Sequence, residues 1–178
     1  MAGGFDPGAA VFYLQLNAAA DHADLRRVEQ LVERRFDAVP HLEAKQAAHQ
    51  LDMFLIVDVR EAEEFAVSHL HAAMRIDPDT PSAQALAAIA AQRAGRPVLF
   101  YCSVGVRSSE MALRLQKALK AEGAASINLK GGLFRWASLG LPLESAAGTT
   151  RIVHGFDSQW AKLAPAPVVL VPEIPAED

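Results

Sequence analysis

Cysteine is all but missing from this sequence: Cys102 is the single one among 178 residues. One thiol cannot close an intramolecular disulfide, and it argues against a cysteine-based structural zinc site. It fits a reducing compartment. Positive charge is not in excess either. Seventeen Lys and Arg stand against 21 Asp and Glu, a formal net charge of -4. Such a surface has no general attraction for nucleic acid or anionic lipid, so neither is an expected partner. Apolar runs are short, of the kind Met53-Phe54-Leu55-Ile56-Val57, far below the length of a membrane span. No basic residue precedes His22, so the basic region of a secretory signal is lacking. The expected location is the cytoplasm, although Ala18-Ala19-Ala20 has the small residues of a cleavage site and leaves export open. No internal repeat is visible. What is present is ordinary globular usage, with 51% apolar and 21% charged residues, which argues against disorder. At about 150 residues per domain the chain is one domain plus some excess.

The pattern along the chain divides it into residues 1–37, 38–144 and 145–178. Residues 1–17 contain three glycines and Pro7 and read as a loose arm. Residues 21–36 read as a helix, because Leu25, Val28, Leu31, Val32 and Phe36 fall on one stripe. Arg26, Arg27, Arg34 and Arg35 on the remaining surface are interspersed with Glu29 and Glu33, the composition of a solvated face rather than an anion patch. From residue 38 strands and helices alternate. Strands are expected at residues 38–41, 54–59, 73–76, 97–101 and 126–129. Helices are expected at 42–50, 61–65, 82–93, 108–122 and 133–139, with Gly123 just past the end of the fourth. Alternation with short connections predicts an α/β domain with a mainly parallel sheet. After residue 144 the pattern dissolves, and four of the ten prolines fall at or after Pro165. This end reads as an extended wrap or a disordered tail, with residues 168–171 as a strand for an edge or a partner.

The informative segment is Phe100-Tyr101-Cys102-Ser103-Val104-Gly105-Val106-Arg107-Ser108-Ser109. It places the cysteine at the C-terminal end of a buried strand, where open α/β sheets put their ligand sites. A short loop and a helix start follow, so several backbone N–H groups converge on one spot as an anion site. Gly105 lets the loop curl through positive φ, and Arg107 adds a fixed charge. A thiol in that field is expected to titrate below its reference value of about 8.5 and to act as a thiolate nucleophile.

The chain from about Val39 to Leu143 resembles a single rhodanese domain. The pieces that carry the resemblance are Leu55-Ile56-Val57-Asp58-Val59-Arg60-Glu61, then Glu64-Phe65-Ala66-Val67-Ser68-His69-Leu70, then the Cys102 to Ser108 loop. Asn128-Leu129-Lys130-Gly131-Gly132-Leu133-Phe134-Arg135-Trp136 and Gly140-Leu141-Pro142-Leu143 complete it. The resemblance implies a three-layer α/β sandwich, with a central, mainly parallel sheet of about five strands flanked by helices. To this the chain adds an N-terminal helix and an extended C-terminal tail. It also implies a sulfurtransferase that takes sulfane sulfur from thiosulfate or a persulfide and passes it to cyanide or a thiol. Carried over, Cys102 is the nucleophile and persulfide carrier. The amides of Ser103, Val104, Gly105, Val106 and Arg107 cradle the outer sulfur. Arg107 orders the loop, and Ser108 bonds the sulfur or caps the helix. No cofactor and no metal are implied. Cysteine phosphatases and arsenate reductases of the related fold place one more residue between Cys and Arg. The four found here suit a single sulfur atom better than a tetrahedral oxyanion.

Other residues carry less. Asp58 and Arg60 match an Asp-x-Arg of the family and either line the site or tie two loops as an ion pair. His69 and His71 lack a third ligand at metal spacing. Trp136 is expected to pack the last helix onto the sheet, and His154 with Trp160 to belong to a structural wrap, with reach into the pocket as the alternative. The family's Pro-Gly-Ala after the histidine is replaced by Leu70-His71-Ala72-Ala73, and Ser68 stands for a common glycine. Three function classes follow: an enzyme working through Cys102, a persulfide carrier that hands sulfur to a partner protein, and an interaction module keeping only the fold. The intact Cys102 to Arg107 loop argues against the third.

Overall fold

A computed structural model describes residues 7–165 and 167–169. Two helices come first, α1 (Pro7–Asp21) and α2 (Leu25–Arg35). Then follow β1 (His41–Leu42), α3 (Ala44–Ala48), β2 (Leu55–Asp58), α4 (Ala62–Val67), β3 (Met74–Arg75) and α5 (Ser82–Arg93). The second half of the domain is β4 (Val98–Tyr101), α6 (Val106–Ala121), β5 (Ser126–Leu129) and α7 (Gly132–Ser138). The first five strands form one parallel sheet in the order β1-β5-β4-β2-β3. β2 and β4 are buried at every position, which requires cover on both faces and explains their unbroken apolar runs. α5 and α6 pack over β2, β4 and β5, and α3 packs against α7. The expected α/β architecture is therefore the observed one. No helix among the described residues is long and apolar enough to cross a membrane.

Both ends of the chain differ from their sequence reading. Of the expected loose arm, residues 7–17 are helical, and residues 1–6 lie outside the described part. Phe12, Leu16, Ala19 and Ala20 are buried at helical spacing, with α1 packed on α2. Val11 and Leu14 are exposed on the other side. Apolar residues all round the helix blur the stripe that would have marked it. The helix expected over 21–36 starts only at Leu25, because Ala23 takes a positive φ of 54° and Asp24 caps the new helix by accepting the Arg27 N–H at 2.9 Å. Its predicted stripe is the buried one.

The expected tail is folded through most of its described length. β6 (Leu143–Ser145) and β7 (Gly148–Thr150) make an antiparallel hairpin. β8 (Val153–His154) pairs in parallel with β9 (Val168–Val169), with a 3-10 turn at Trp160–Leu163 between them. The strand anticipated near residue 168 thus pairs within its own chain; residues 170 and 171 of that expectation lie outside the described residues. Strands this short, separated by a turn, leave no periodicity to read. Val153 and Leu163 join the same hydrophobic cluster as α1, α2 and the sheet.

Candidate active site

β4 is the middle strand of the sheet, and the residue after it is Cys102. Two helix starts meet there. α6 begins at Val106, two residues before its expected start, with Gly105 as the cap at φ 104°. Only a residue without Cβ turns there cheaply, and that turn aims the Gly105 N–H at Cys102 Sγ, 3.1 Å away. The first amides of α6 have no partners within their helix and carry its positive dipole end toward the same place. α7 supports the loop from the other side. Its Leu133 and Phe134 N–H groups donate to the Cys102 and Ser103 carbonyls at 2.8 and 3.0 Å. Gly132 allows this approach, since a Cβ there would stand 2.3 Å from the Cys102 carbonyl oxygen.

Ser108 Oγ lies 3.5 Å from Sγ and 2.6 Å from Asn128 Oδ1. A hydroxyl has one proton, and the shorter contact takes it, so Ser108 faces the sulfur without capping α6. Asn128 reaches on to His41 Nδ1 at 3.0 Å, and His41 Nε2 to the Phe36 carbonyl at 3.1 Å.

Arg107 does not stand free in the site. Its Nη1 and Nη2 donate to both Glu64 oxygens at 2.7 and 2.9 Å, and Nη2 also reaches Ser103 Oγ at 3.2 Å. Ser103 Oγ itself donates to Glu64 at 2.8 Å, and so does the Glu61 N–H at 3.1 Å. Burial alone would push the Glu64 carboxyl up, but the Arg107 guanidinium outweighs it and holds it below its ordinary value. Burial likewise opposes the charge on Arg107, and Glu64 more than restores it. This pair stitches α4 to the loop. Sequence reasoning missed Glu64, whose faint signal was its place three residues after Glu61 at a helix start, the spacing of a capping box.

Asp58 and Arg60 do not line the cleft. They form a buried pair with both side chains fully covered, Nη2 to Oδ2 at 2.6 Å, and Arg60 also donates to the Ser68 carbonyl at 2.7 Å. They tie the end of β2 to the Ser68 turn, one of their two expected roles. His69 Nδ1 donates to the Glu144 carbonyl at 2.8 Å, and His71 meets the Glu144 carboxylate at 2.6 Å, so both brace the hairpin. No cluster of metal-ligating side chains occurs among the described residues. Trp136 is buried, its indole donating to the Pro142 carbonyl.

Cys102 is 1% exposed, and a cleft of about 270 Å3 leads to it. Its floor is Cys102, Ser103 and Val104, with Val106 and Arg107 beside them. One wall is α1, through Tyr13, Leu16 and Asn17. Phe156 and Trp160 line the cleft too, the Trp160 turn being packed beside α1. Trp160 thus reaches the pocket rather than serving only a wrap. His154 stays outside it and accepts the Phe156 N–H at 3.0 Å. Glu110 stands at the rim and accepts from the Tyr13 hydroxyl at 2.9 Å. Burial, helped by Glu110, pushes the Tyr13 phenol up to about 12. None of these wall residues carries a motif, so only the fold brings them together with the loop.

Residues 40–139 match the family model for the rhodanese-like domain. No curated protein matches the chain. Among solved structures, the BH2092 protein from Bacillus halodurans aligns with a TM-score of 0.50 at 16% identity, over 63% of this chain and 81% of that one, a likeness of fold. The rhodanese-like domain of the Alr3790 protein from Anabaena sp. gives 0.47 and 23%, over 60% and 79%. A 3-mercaptopyruvate sulfurtransferase from Leishmania major gives 0.49 and 24%, over 60% of this chain and 36% of that one.

Proposed function

The chain belongs to the rhodanese-like domain family of sulfurtransferases, and on that premise we propose that it moves sulfane sulfur through a persulfide on Cys102. The carrying observation is the placement of Sγ: at the end of the central strand, 3.1 Å from the Gly105 N–H, at the foot of a helix. Cys102 attacks the outer sulfur of the donor, thiosulfate or a similar compound. The bond between the two donor sulfurs breaks, and its electron pair leaves with the remainder, as sulfite in the case of thiosulfate. The enzyme is left as Cys102–S–S⁻. Cyanide or a thiol then attacks the outer sulfur, and Cys102 departs as the thiolate. Charge on the outer sulfur is met by the loop amides from Ser103 to Arg107 and by the helix start, as an oxyanion hole meets an alkoxide. Arg107 serves chiefly to order the loop, since Glu64 engages its charge. Ser108 turns its hydroxyl to whichever of Asn128 and the sulfur carries more charge. The cleft is sized for a small donor and acceptor, which favours the enzyme over a carrier that docks a protein.

The test is turnover with cyanide as acceptor and thiocyanate as the measured product, using thiosulfate and organic thiosulfonates as donors. Wild type is expected to form thiocyanate and Cys102→Ala none. Equal rates in the two would overturn the assignment.

A further inference from the structure

The cleft over Cys102 is completed by residues outside the span 40–139 that the family shares. Tyr13 and Leu16 precede that span; Phe156 and Trp160 follow it. Its charges are informative. Among the described residues, the one cation on its lining, Arg107, is held by both oxygens of Glu64. The Phe156 ring covers the guanidinium with its centroid 5.2 Å away. Glu110 adds a carboxylate at the rim. One carboxylate, Glu110, and one guanidinium already paired with the buried Glu64 therefore line the way to the sulfur. A small dianion finds no unpaired cation on this lining and must shed water against largely apolar, aromatic walls. An uncharged ring or chain gains burial against the same walls. Phe156 is also held at an uncommon backbone angle, φ 69°, by the His154 contact and by its stacking on Arg107. Bulky side chains rarely adopt that region, and a residue kept there at a ligand site points to a role for its ring.

Resting on the proposed sulfur transfer, we infer that the cleft selects an organic sulfane-sulfur donor with an uncharged, apolar body over thiosulfate, and that Phe156, Trp160 and Tyr13 set this preference. For an organic persulfide the step is RS–SH + Cys102–S⁻ → Cys102–S–SH + RS⁻. The Sγ–S bond forms, the donor's S–S bond breaks, and its electron pair leaves on the carrier thiolate. For a thiosulfonate the same attack releases a sulfinate. The carrier body lies against Tyr13, Phe156 and Trp160 while its terminal sulfur faces Cys102.

The experiment uses the full chain, cyanide as acceptor, and three donors: thiosulfate, methanethiosulfonate and benzenethiosulfonate. The last two carry one charge each and differ only in the body. Wild type is expected to favour the phenyl over the methyl donor by about tenfold or more in kcat/KM, the scale that pocket contacts of this kind provide. Thiosulfate should be the poorest of the three. The phenyl-to-methyl ratio should fall by about tenfold in Trp160→Ala and in Phe156→Gly. The second variant suits the positive φ and so tests the ring without straining the turn. A ratio equal in wild type and both variants, or thiosulfate as the best donor, overturns the selectivity while sulfur transfer stands. Failure of every donor to sulfurate Cys102 removes the transfer reading itself, and the inference with it.

Discussion

Cys102 is small and buried, so its replacement separates chemistry from stability. Cys102→Ala is expected to abolish sulfur transfer and to cost only about 1 kcal/mol in urea unfolding. Arg107 behaves differently because its partner is a buried carboxylate. Arg107→Ala leaves Glu64 charged, 1% exposed and without its main partner. A loss of about 3 kcal/mol is expected, together with weaker turnover from a loosened loop. The double variant Arg107→Ala, Glu64→Ala should lose less than the sum of the two singles, as a double-mutant cycle would read. At this scale the course of the loop from Cys102 to Arg107 was legible because a buried strand, a glycine and a helix start follow one another within a few residues. Glu64 was not, because its contact with Arg107 spans 43 residues and an acidic residue at a helix start reads as solvated. Ser108 was legible as a sulfur neighbour, but its closer partner Asn128 depends on β5 lying beside β4.

The sheet and most of its helices were readable, since buried parallel strands are continuous apolar runs and α6 has a clear stripe. α1 was not, for want of a one-sided pattern, and yet it forms a wall of the cleft. Leu16 is fully buried there. Leu16→Ala should cost about 2–5 kcal/mol in chemical denaturation, and it should also alter donor kinetics, because the residue faces the cleft as well as the core. The junction of α7 with the cysteine loop makes a second prediction. At Gly132 an added methyl meets the Cys102 carbonyl at a φ of 54°. Gly132→Ala should lose at least about 1–3 kcal/mol and most of the transfer rate, because the loop must move to make room. A variant with wild-type kinetics would show that α7 does not set the loop.

For the whole molecule, the N-terminal helices, the domain and the C-terminal segment share one hydrophobic cluster. Loss of a paired charge in the site is therefore felt as global stability. Glu64 titrates below its ordinary value of 4.5 when folded. The unfolded chain takes up that proton first as the pH falls. The carboxylate's contribution is fully present above about pH 4.5 and is lost as the pH drops through the folded value. Urea midpoints between about pH 3 and pH 6 should fall on the acid side in wild type and fall less steeply in Glu64→Gln. An identical acid limb in both would assign it to other carboxylates. At this scale the sequence led to the fold class and to the loop proposed as the site, while the walls beside it came from ends of the chain without motifs.

Sulfur transfer through Cys102 is tested most directly by the intact mass of the full chain before and after incubation with a sulfane-sulfur donor, with Cys102→Ala alongside. A gain of one sulfur atom in wild type, its removal by cyanide, and no gain in the variant are expected. An unchanged mass with thiosulfate and with organic donors alike, or a gain that persists in Cys102→Ala, would contradict transfer through Cys102.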